Sequence, residues 1–256
     1  MIATVLWWLG AGVAVAAAAY LLLALAAVAA YRPQTGPGWA EQPAVTLLKP
    51  LCGMEDGLEQ ALAIILAPET RSPVEFVFGV ADAGDPALAL AHKVAARFPD
   101  RAVRFVADGQ RHGPNPKVGN LINMAMGGLG GVVAISDSDT VLAPGALQRA
   151  IDALAAPGTG AVTALYRGKP GSGGASRTSG VWFLDYWFLP MALLHARLAP
   201  LSVTYGPLTL VRREVLEQAG GLIALADHLS DDAELGKRVR AAGYAVAFTP
   251  DIAETL

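Results

Sequence analysis

Residues Val132 to Thr140 read VVAISDSDT: an apolar run ends abruptly in two carboxylates, Asp137 and Asp139, separated by the small Ser138. Side chains two apart on an extended chain point the same way, so both acids can reach one divalent cation at the exposed carboxyl end of a strand. This predicts a metal site for a phosphorylated ligand. A strand-to-turn junction, where Asp and Ser are ordinary residues, accounts for the same letters.

Outward from this stretch, short apolar runs alternate with helical patterns. Strands are expected near Val45 to Leu48, Val74 to Val80, Val103 to Val106, Val132 to Ile135, Ala161 to Leu165, Leu208 to Val211 and Ala245 to Phe248. Helices are expected over Leu58 to Leu66, Pro86 to Phe98, Lys117 to Met126, Pro144 to Leu154, Arg213 to Ala219 and Asp232 to Ala242. Such alternation predicts an α/β fold with a mostly parallel sheet and helices on both faces. Ligands of such sheets bind outside the carboxyl ends of the strands, where these acids fall.

The 256 residues suit one sizeable α/β domain with an appendage. Hydrophobic residues make up 54% and charged ones 16%, with a mean hydropathy of +0.42, so contact with a lipid bilayer is expected. A net charge of −3 and a pI near 5.8 give nucleic-acid binding no support. The lone Cys52 excludes an internal disulfide, and the four histidines form no Cys/His cluster of the zinc type.

From Ile2 to Ala30 no side chain is charged, long enough for a transmembrane helix. A cleavable signal peptide competes, since Ala27, Val28, Ala29 resembles a cleavage site, but a basic leader is missing and the apolar part is long for one. An uncleaved anchor over residues 1–31 is expected. Arg32 follows the span and no Lys or Arg precedes it, which puts the rest of the chain on the cytoplasmic side; Trp7, Trp8 and Tyr31 flank it as an aromatic belt would. Residues 32–43, rich in Pro and Gly, read as a linker to a domain over 44–256.

Residues Tyr166 to Arg177, YRGKPGSGGASR, predict a loop that is either a flap over the ligand or a plain connection. Val181 to Leu198, aromatic in its first half with Pro190 in its middle, predicts a helix lying on the membrane surface rather than a second span, a core helix being the alternative.

Strand Val74 to Val80 runs into Asp82, a further carboxylate at the same sheet edge; capping the next helix suits Asp85 better and leaves Asp82 for a ligand. Lys117 sits at a helix start, which the helix dipole disfavours; a nearby phosphate explains it, and so does a solvated surface position. In LSDDAEL, Leu229 to Leu235, capping by Ser230 or Asp231 accounts for one acid, and two adjacent carboxylates exceed that need. One of them can serve as a general base.

The stretches LLKPLCGMEDGL, VAD, NPKVGNLIN, ISDSDT, GPLTLVRREVLEQAGGL and LSDDAELGKRVRAAGY follow in the order and spacing of ceramide glucosyltransferase-like enzymes. The chain resembles most their bacterial hopanoid-associated glycosyltransferase branch, from about Val45 onward. The resemblance implies a GT-A type fold, a UDP-sugar donor, a membrane lipid acceptor such as a hopanoid or ceramide, Mg²⁺ or Mn²⁺ as cofactor, and a place in the bacterial inner membrane with the catalytic domain in the cytoplasm. It further implies that Asp82 and Lys117 bind the donor with Pro50 and Asp137 beside them. Asp139 and Asp137 would hold the metal, and Asp232 would be the general base of an inverting transfer of glucose or N-acetylglucosamine, with Asp231 and His228 supporting the acceptor side. Two departures stand out: Ala233 replaces the aromatic residue of the family's acidic motif, and no arginine–tryptophan segment follows Asp232. The resemblance therefore leaves open a nucleotide-sugar-binding unit that needs a further segment to turn over.

Overall fold

A computed structural model describes residues 1–32, 35–67, 70–169 and 175–255. Helix α1 (Ile2–Ala29) is followed by β1 (Val45–Pro50), α2 (Leu58–Leu66), β2 (Val74–Val80), α3 (Pro86–Ala95), β3 (Ala102–Ala107), α4 (Pro116–Ala125), β4 (Val132–Ile135) and the short β5 (Thr140–Val141). Then come α5 (Ala146–Leu154), β6 (Thr159–Gly168), α6 (Ala175–Phe183), a π-turn over Leu184–Phe188, α7 (Leu189–Leu198), β7 (Thr209–Arg212), α8 (Arg213–Gln218), α9 (Asp231–Ala241) and β8 (Ala245–Thr255). Every expected strand and helix is present; β5 is an addition, and β8 runs past Phe248 to Thr255.

The eight strands form one sheet in the order β3-β2-β1-β4-β7-β6-β8-β5. Strands β3, β2, β1 and β4 run parallel, as do β6 and β8; β7 and β5 run against their neighbours, so the sheet is mixed. The chain leaves β1 toward β2 and β3 and returns on β1's other side as β4, creating a switch point between β1 and β4 where a crevice opens.

Alternation along each strand feeds two apolar layers. Val45 and Leu47 of β1, with Val132 and Ala134 of β4, pack on the face covered by α2, α3 and α5. Leu48, Val133 and Ile135 pack on the opposite face with α4 and α9. In α5 the buried Leu147, Ala150, Ile151 and Leu154 recur at helical spacing.

Residues 33 and 34 of the expected linker lie outside the described residues. The rest of it is held: Trp39 Nε1 donates to the Ile151 carbonyl at 2.7 Å, and the Arg212 guanidinium lies 4.6 Å from its ring centre. The expected loop from Tyr166 is a strand to Gly168, pairing Tyr166, Arg167 and Gly168 with Ala253, Glu254 and Thr255. Residues 170–174 of that loop lie outside the described residues, and the backbone is helical from Ala175. Asp185 Oδ1 accepts from the Gly168 N–H at 3.2 Å, tying that helix back to the strand.

Pro190 explains the π-turn. A proline has no N–H, and its ring collides with the carbonyl four residues back. The helix takes up an extra residue there, the Leu189 N–H reaching the Leu184 carbonyl. Segment α6–α7 leaves Trp182, Phe183, Tyr186, Trp187 and Met191 exposed. Helix α1 lies along it: Ala24 and Ala27 are buried, and the Tyr20 and Trp187 rings are 5.3 Å apart. The remainder of α1 exposes its apolar side chains on all sides, with a mean hydropathy of 2.3 over its most apolar window.

Helix α9 is held close to the segment before β7, since a Cβ on Gly236 would stand 2.5–2.7 Å from backbone atoms of Val203 and Thr204. Backbone cannot swing aside as a side chain can. Gly236→Ala is therefore expected to destabilise the fold by about 1–3 kcal/mol, read as a lower urea midpoint with an unchanged slope.

Candidate active site

Lys49 is the one charged residue of strand β1 and is 0% exposed. Its Nζ donates to the Asp137 carbonyl at 2.5 Å. Burial pulls its pKa down to about 8, against the opposing pull of Asp139, Asp137 and Glu55. Lys49 is one residue the sequence reading missed; the single charge within VTLLKP was the available signal. Pro50 follows it at the strand end and lines the adjacent cleft.

Asp137 and Asp139 stand beyond the end of β4, in a turn closed by the Thr140 N–H on the Asp137 carbonyl at 3.2 Å. The expectation that they project from extended strand is thus corrected: turn and acidic site are the same object. Ser138 Oγ donates to Glu55 Oε2 at 2.6 Å, bringing in an acid from the β1–α2 loop that sequence reasoning had not singled out. Burial raises the Asp139 pKa, with Asp137 and Glu55 adding to it and Lys49 working against them. A Cβ on Gly206 would stand 2.2 Å from Asp137 Oδ2, so a side chain there would have to displace the Asp137 carboxylate.

The other motifs converge on the same point. Lys117 Nζ bridges Asp137 Oδ1 at 2.7 Å and Asp231 Oδ2 at 3.4 Å. Burial disfavours its charge, but Asp137, Asp231 and Asp232 outweigh that and raise its pKa. These counter-charges account for a lysine at a helix start without a bound phosphate. Asn115 caps that helix through Val118 and reaches across to the His228 carbonyl at 2.8 Å. Asp231 is 9% exposed. Asp232 is more open: its Oδ1 accepts from the Ala233 N–H at 2.8 Å and Ser230 Oγ at 3.0 Å, and its carbonyl takes a bond from Thr204 Oγ1 at 2.7 Å.

Asp82 is exposed on the cleft wall, where Oδ1 accepts from Gly84 N at 2.9 Å. Asp85 caps α3 through Ala87 N at 2.8 Å, the division of labour expected from sequence. The His228 ring turns toward Glu234, at 3.8 Å, so only its carbonyl joins the network. The cleft encloses about 550 Å³ between Pro50, Asp82, Lys117, Asp137 and Asp139, with Glu55 and the exposed Cys52 at its wall.

Two tyrosines complete the surroundings. Burial raises the Tyr166 pKa, helped by Asp232, Asp137 and Asp139. Tyr205 is pushed up to about 12 by burial, then by Tyr166 and Asp232. Ring contacts continue outward, Tyr166 to Phe188 at 4.7 Å, Phe188 to Tyr205 at 5.2 Å and Tyr205 to Phe248 at 6.3 Å. An aromatic lane thus links the acids to the α6–α7 segment.

The ammoniums of Lys49 and Lys117 face the carboxylates of Glu55, Asp137, Asp139, Asp231 and Asp232. Among the described residues no three His, Cys, Asp or Glu side chains gather closely enough to enclose a metal by themselves. The surplus of acid fits a cation shared with a ligand, because Mg²⁺-like ions take one or two carboxylates and fill their shell with phosphate and water.

A mixed sheet with this switch-point cleft and paired acids defines the GT-A class of glycosyltransferase folds. Residues 6–256 match the glycosyl transferase family 21 profile, and the chain belongs to that family. It is similar to ceramide glucosyltransferase of Komagataella phaffii, 30% identical over 115 residues, which are 43% of this chain and 22% of the relative. It is also similar to ceramide glucosyltransferase 1 of Caenorhabditis elegans, 22% identical over 214 residues, 81% of this chain and 44% of the relative. The chain thus spans less than half the length of these curated relatives. The mannosyltransferase PcManGT from Pyrobaculum calidifontis, solved with GDP-Man and Mn²⁺, shares the fold with a TM-score of 0.70 at 23% identity, over 93% of this chain and 64% of that one.

Burial and the neighbouring Asp137 and Glu55 disfavour a charge on Asp139, so its neutral isostere relieves a repulsion. Asp139→Asn is expected to raise the unfolding midpoint by a few degrees in chelator at pH 7. Added Mn²⁺ should raise the midpoint of the parent chain and leave that of the variant unmoved; calorimetry in detergent reads both.

Proposed function

We propose that this chain transfers a sugar, glucose or N-acetylglucosamine, from a UDP-sugar to the hydroxyl of a membrane lipid, with inversion at the anomeric carbon. The observation that carries the reading is the convergence of the DSD turn and the acidic pair on Lys117, at 2.7 Å and 3.4 Å, beside a cleft open at the switch point. Pro50 and Asp82 line the part of the cleft that suits the nucleoside, and Lys117 stands where the diphosphate would lie. Asp139 and Asp137 would hold Mg²⁺ or Mn²⁺, which would neutralise charge on the leaving diphosphate.

Asp232 is the base. Its carboxylate accepts the acceptor's hydroxyl proton as the oxygen bonds to the anomeric carbon. The bond from that carbon to the phosphate oxygen breaks, and the nucleoside diphosphate departs with the electron pair. One base and no carboxylate nucleophile suffice for direct displacement. Thr204 and Ser230 fix the position of Asp232 through its carbonyl and carboxylate.

A lipid acceptor is supported by the aromatic lane and by helix α1. Its 28 residues rise about 42 Å, enough to cross a bilayer core of about 30 Å. A helix apolar on every side and exposed needs lipid around it. In this reading α1 anchors the chain in a bacterial inner membrane, α6–α7 lies on its cytoplasmic surface through Trp182, Phe183, Tyr186 and Trp187, and the donor enters from the cytoplasm.

The test incubates membranes carrying the chain with labelled UDP-glucose or UDP-N-acetylglucosamine and Mn²⁺, then separates the lipids. Asp232→Asn is expected to keep donor binding and lower transfer by roughly 10²–10⁴-fold. Lys49→Met, which releases the DSD turn, is expected to weaken Mn²⁺-dependent donor binding about tenfold, measured by calorimetry. The chain covers less than half of its curated relatives, so binding and turnover are measured separately: donor binding without any labelled lipid would favour a nucleotide-sugar-binding unit that needs a further segment. Labelled lipid formed by Asp232→Asn at the parental rate would overturn the assignment of the base.

A further inference from the structure

Where α1 ends, it and α7 part around a cavity of about 380 Å³ that is separate from the acidic cleft. Ala27, Leu193 and Phe248 give it apolar walls, and Tyr31, Arg32 and Arg197 supply its polar side. Arg32 Nη1 donates to the Ala29 and Tyr31 carbonyls at 2.9 Å each. Arg197 Nη2 donates to the Ala30 carbonyl at 2.6 Å.

Capping the end of α1 is the ordinary use of such arginines. It leaves donors over, because a guanidinium carries five N–H groups and each arginine commits one nitrogen. Neither arginine has a carboxylate partner among the described residues, and Asp251, the acid whose charge reaches Tyr31, is held by Arg149 at 2.7 and 2.8 Å. Two cations hung on consecutive carbonyls repel, and a shared anion removes the repulsion. An occupant that suits both halves of the cavity has a phosphate for the guanidinium forks and hydrocarbon for Ala27, Leu193 and Phe248.

We infer that this cavity binds one anionic glycerophospholipid, its phosphate between Arg32 and Arg197 and its hydrocarbon along the α1–α7 seam. The lipid is neither donor nor acceptor; it locks the span against the helix segment that leads to Tyr166. The inference rests on α1 being a membrane span, because only then does the leaflet deliver its headgroups to this level.

The test uses the full chain in neutral detergent, with phosphatidylglycerol or phosphatidylcholine added and bound lipid counted by native mass spectrometry. The parent chain is expected to prefer phosphatidylglycerol. Arg32→Gln with Arg197→Gln should lose roughly fivefold in that preference for each charge removed. The corresponding lysine pair should keep most of it, and Lys93→Gln with Arg240→Gln, at exposed positions elsewhere, should keep all of it. A preference unchanged in the glutamine pair, or lost equally in the Lys93 and Arg240 variant, would overturn the inference, as would displacement of the lipid by inorganic phosphate at equal concentration. Carbonate extraction of membranes tests the span independently: a chain that washes out loses the anchor, whereas arginine-dependent lipid binding in detergent is read without it.

Discussion

The ammonium of Lys49, wholly out of water, sets the terms for the active-site end of the sheet. A buried cation is tolerated only where anions and acceptors surround it. Here the Asp137 carbonyl takes its hydrogen bond, and Asp139, Asp137 and Glu55 supply the field. The requirement runs both ways, since the DSD turn is held from below by the Lys49 ammonium on the Asp137 carbonyl. Lys117 then joins that turn to the acidic pair of α9, tying a parallel strand of one half of the sheet to a helix of the other.

From this knot the charge balance follows. The acids outnumber the two ammoniums, and Asp139, its pKa raised first by burial, is raised further by Asp137 and Glu55. Crowding carboxylates in this way costs folding stability, the usual trade between stability and function. On the other side, the rings of Tyr166, Phe188, Tyr205 and Phe248 carry the site toward α6–α7, whose aromatic side chains are exposed. The π-turn at Leu184–Phe188 contributes to this lane, because the register change forced by Pro190 falls in the turn that carries Phe188.

Much was legible in the chain of letters. Strand and helix positions followed from apolar periodicity, a local property, and all were recovered because the two faces of the sheet demand it. The division of work between Asp82 and Asp85 was legible too, since capping is decided within one turn. Tyr166 to Gly168 was misjudged as loop. Glycine and serine beyond it obscured a strand whose partner, Ala253 to Thr255, lies some ninety residues away, and pairing over such a distance leaves no local mark.

By itself, then, the sequence determined the alternation of elements, the apolar α1, the order of the acidic motifs and their likeness to a sugar-transferring family, all of them carried by neighbouring residues. Only the tertiary structure decided which charges meet. It turned Lys49 from one polar letter in a strand into the support of the DSD turn. It gave Lys117 two carboxylate partners from separate motifs, and it turned the His228 ring aside toward Glu234. Charges act through space and are magnified by burial, and neither distance nor burial is written along the chain.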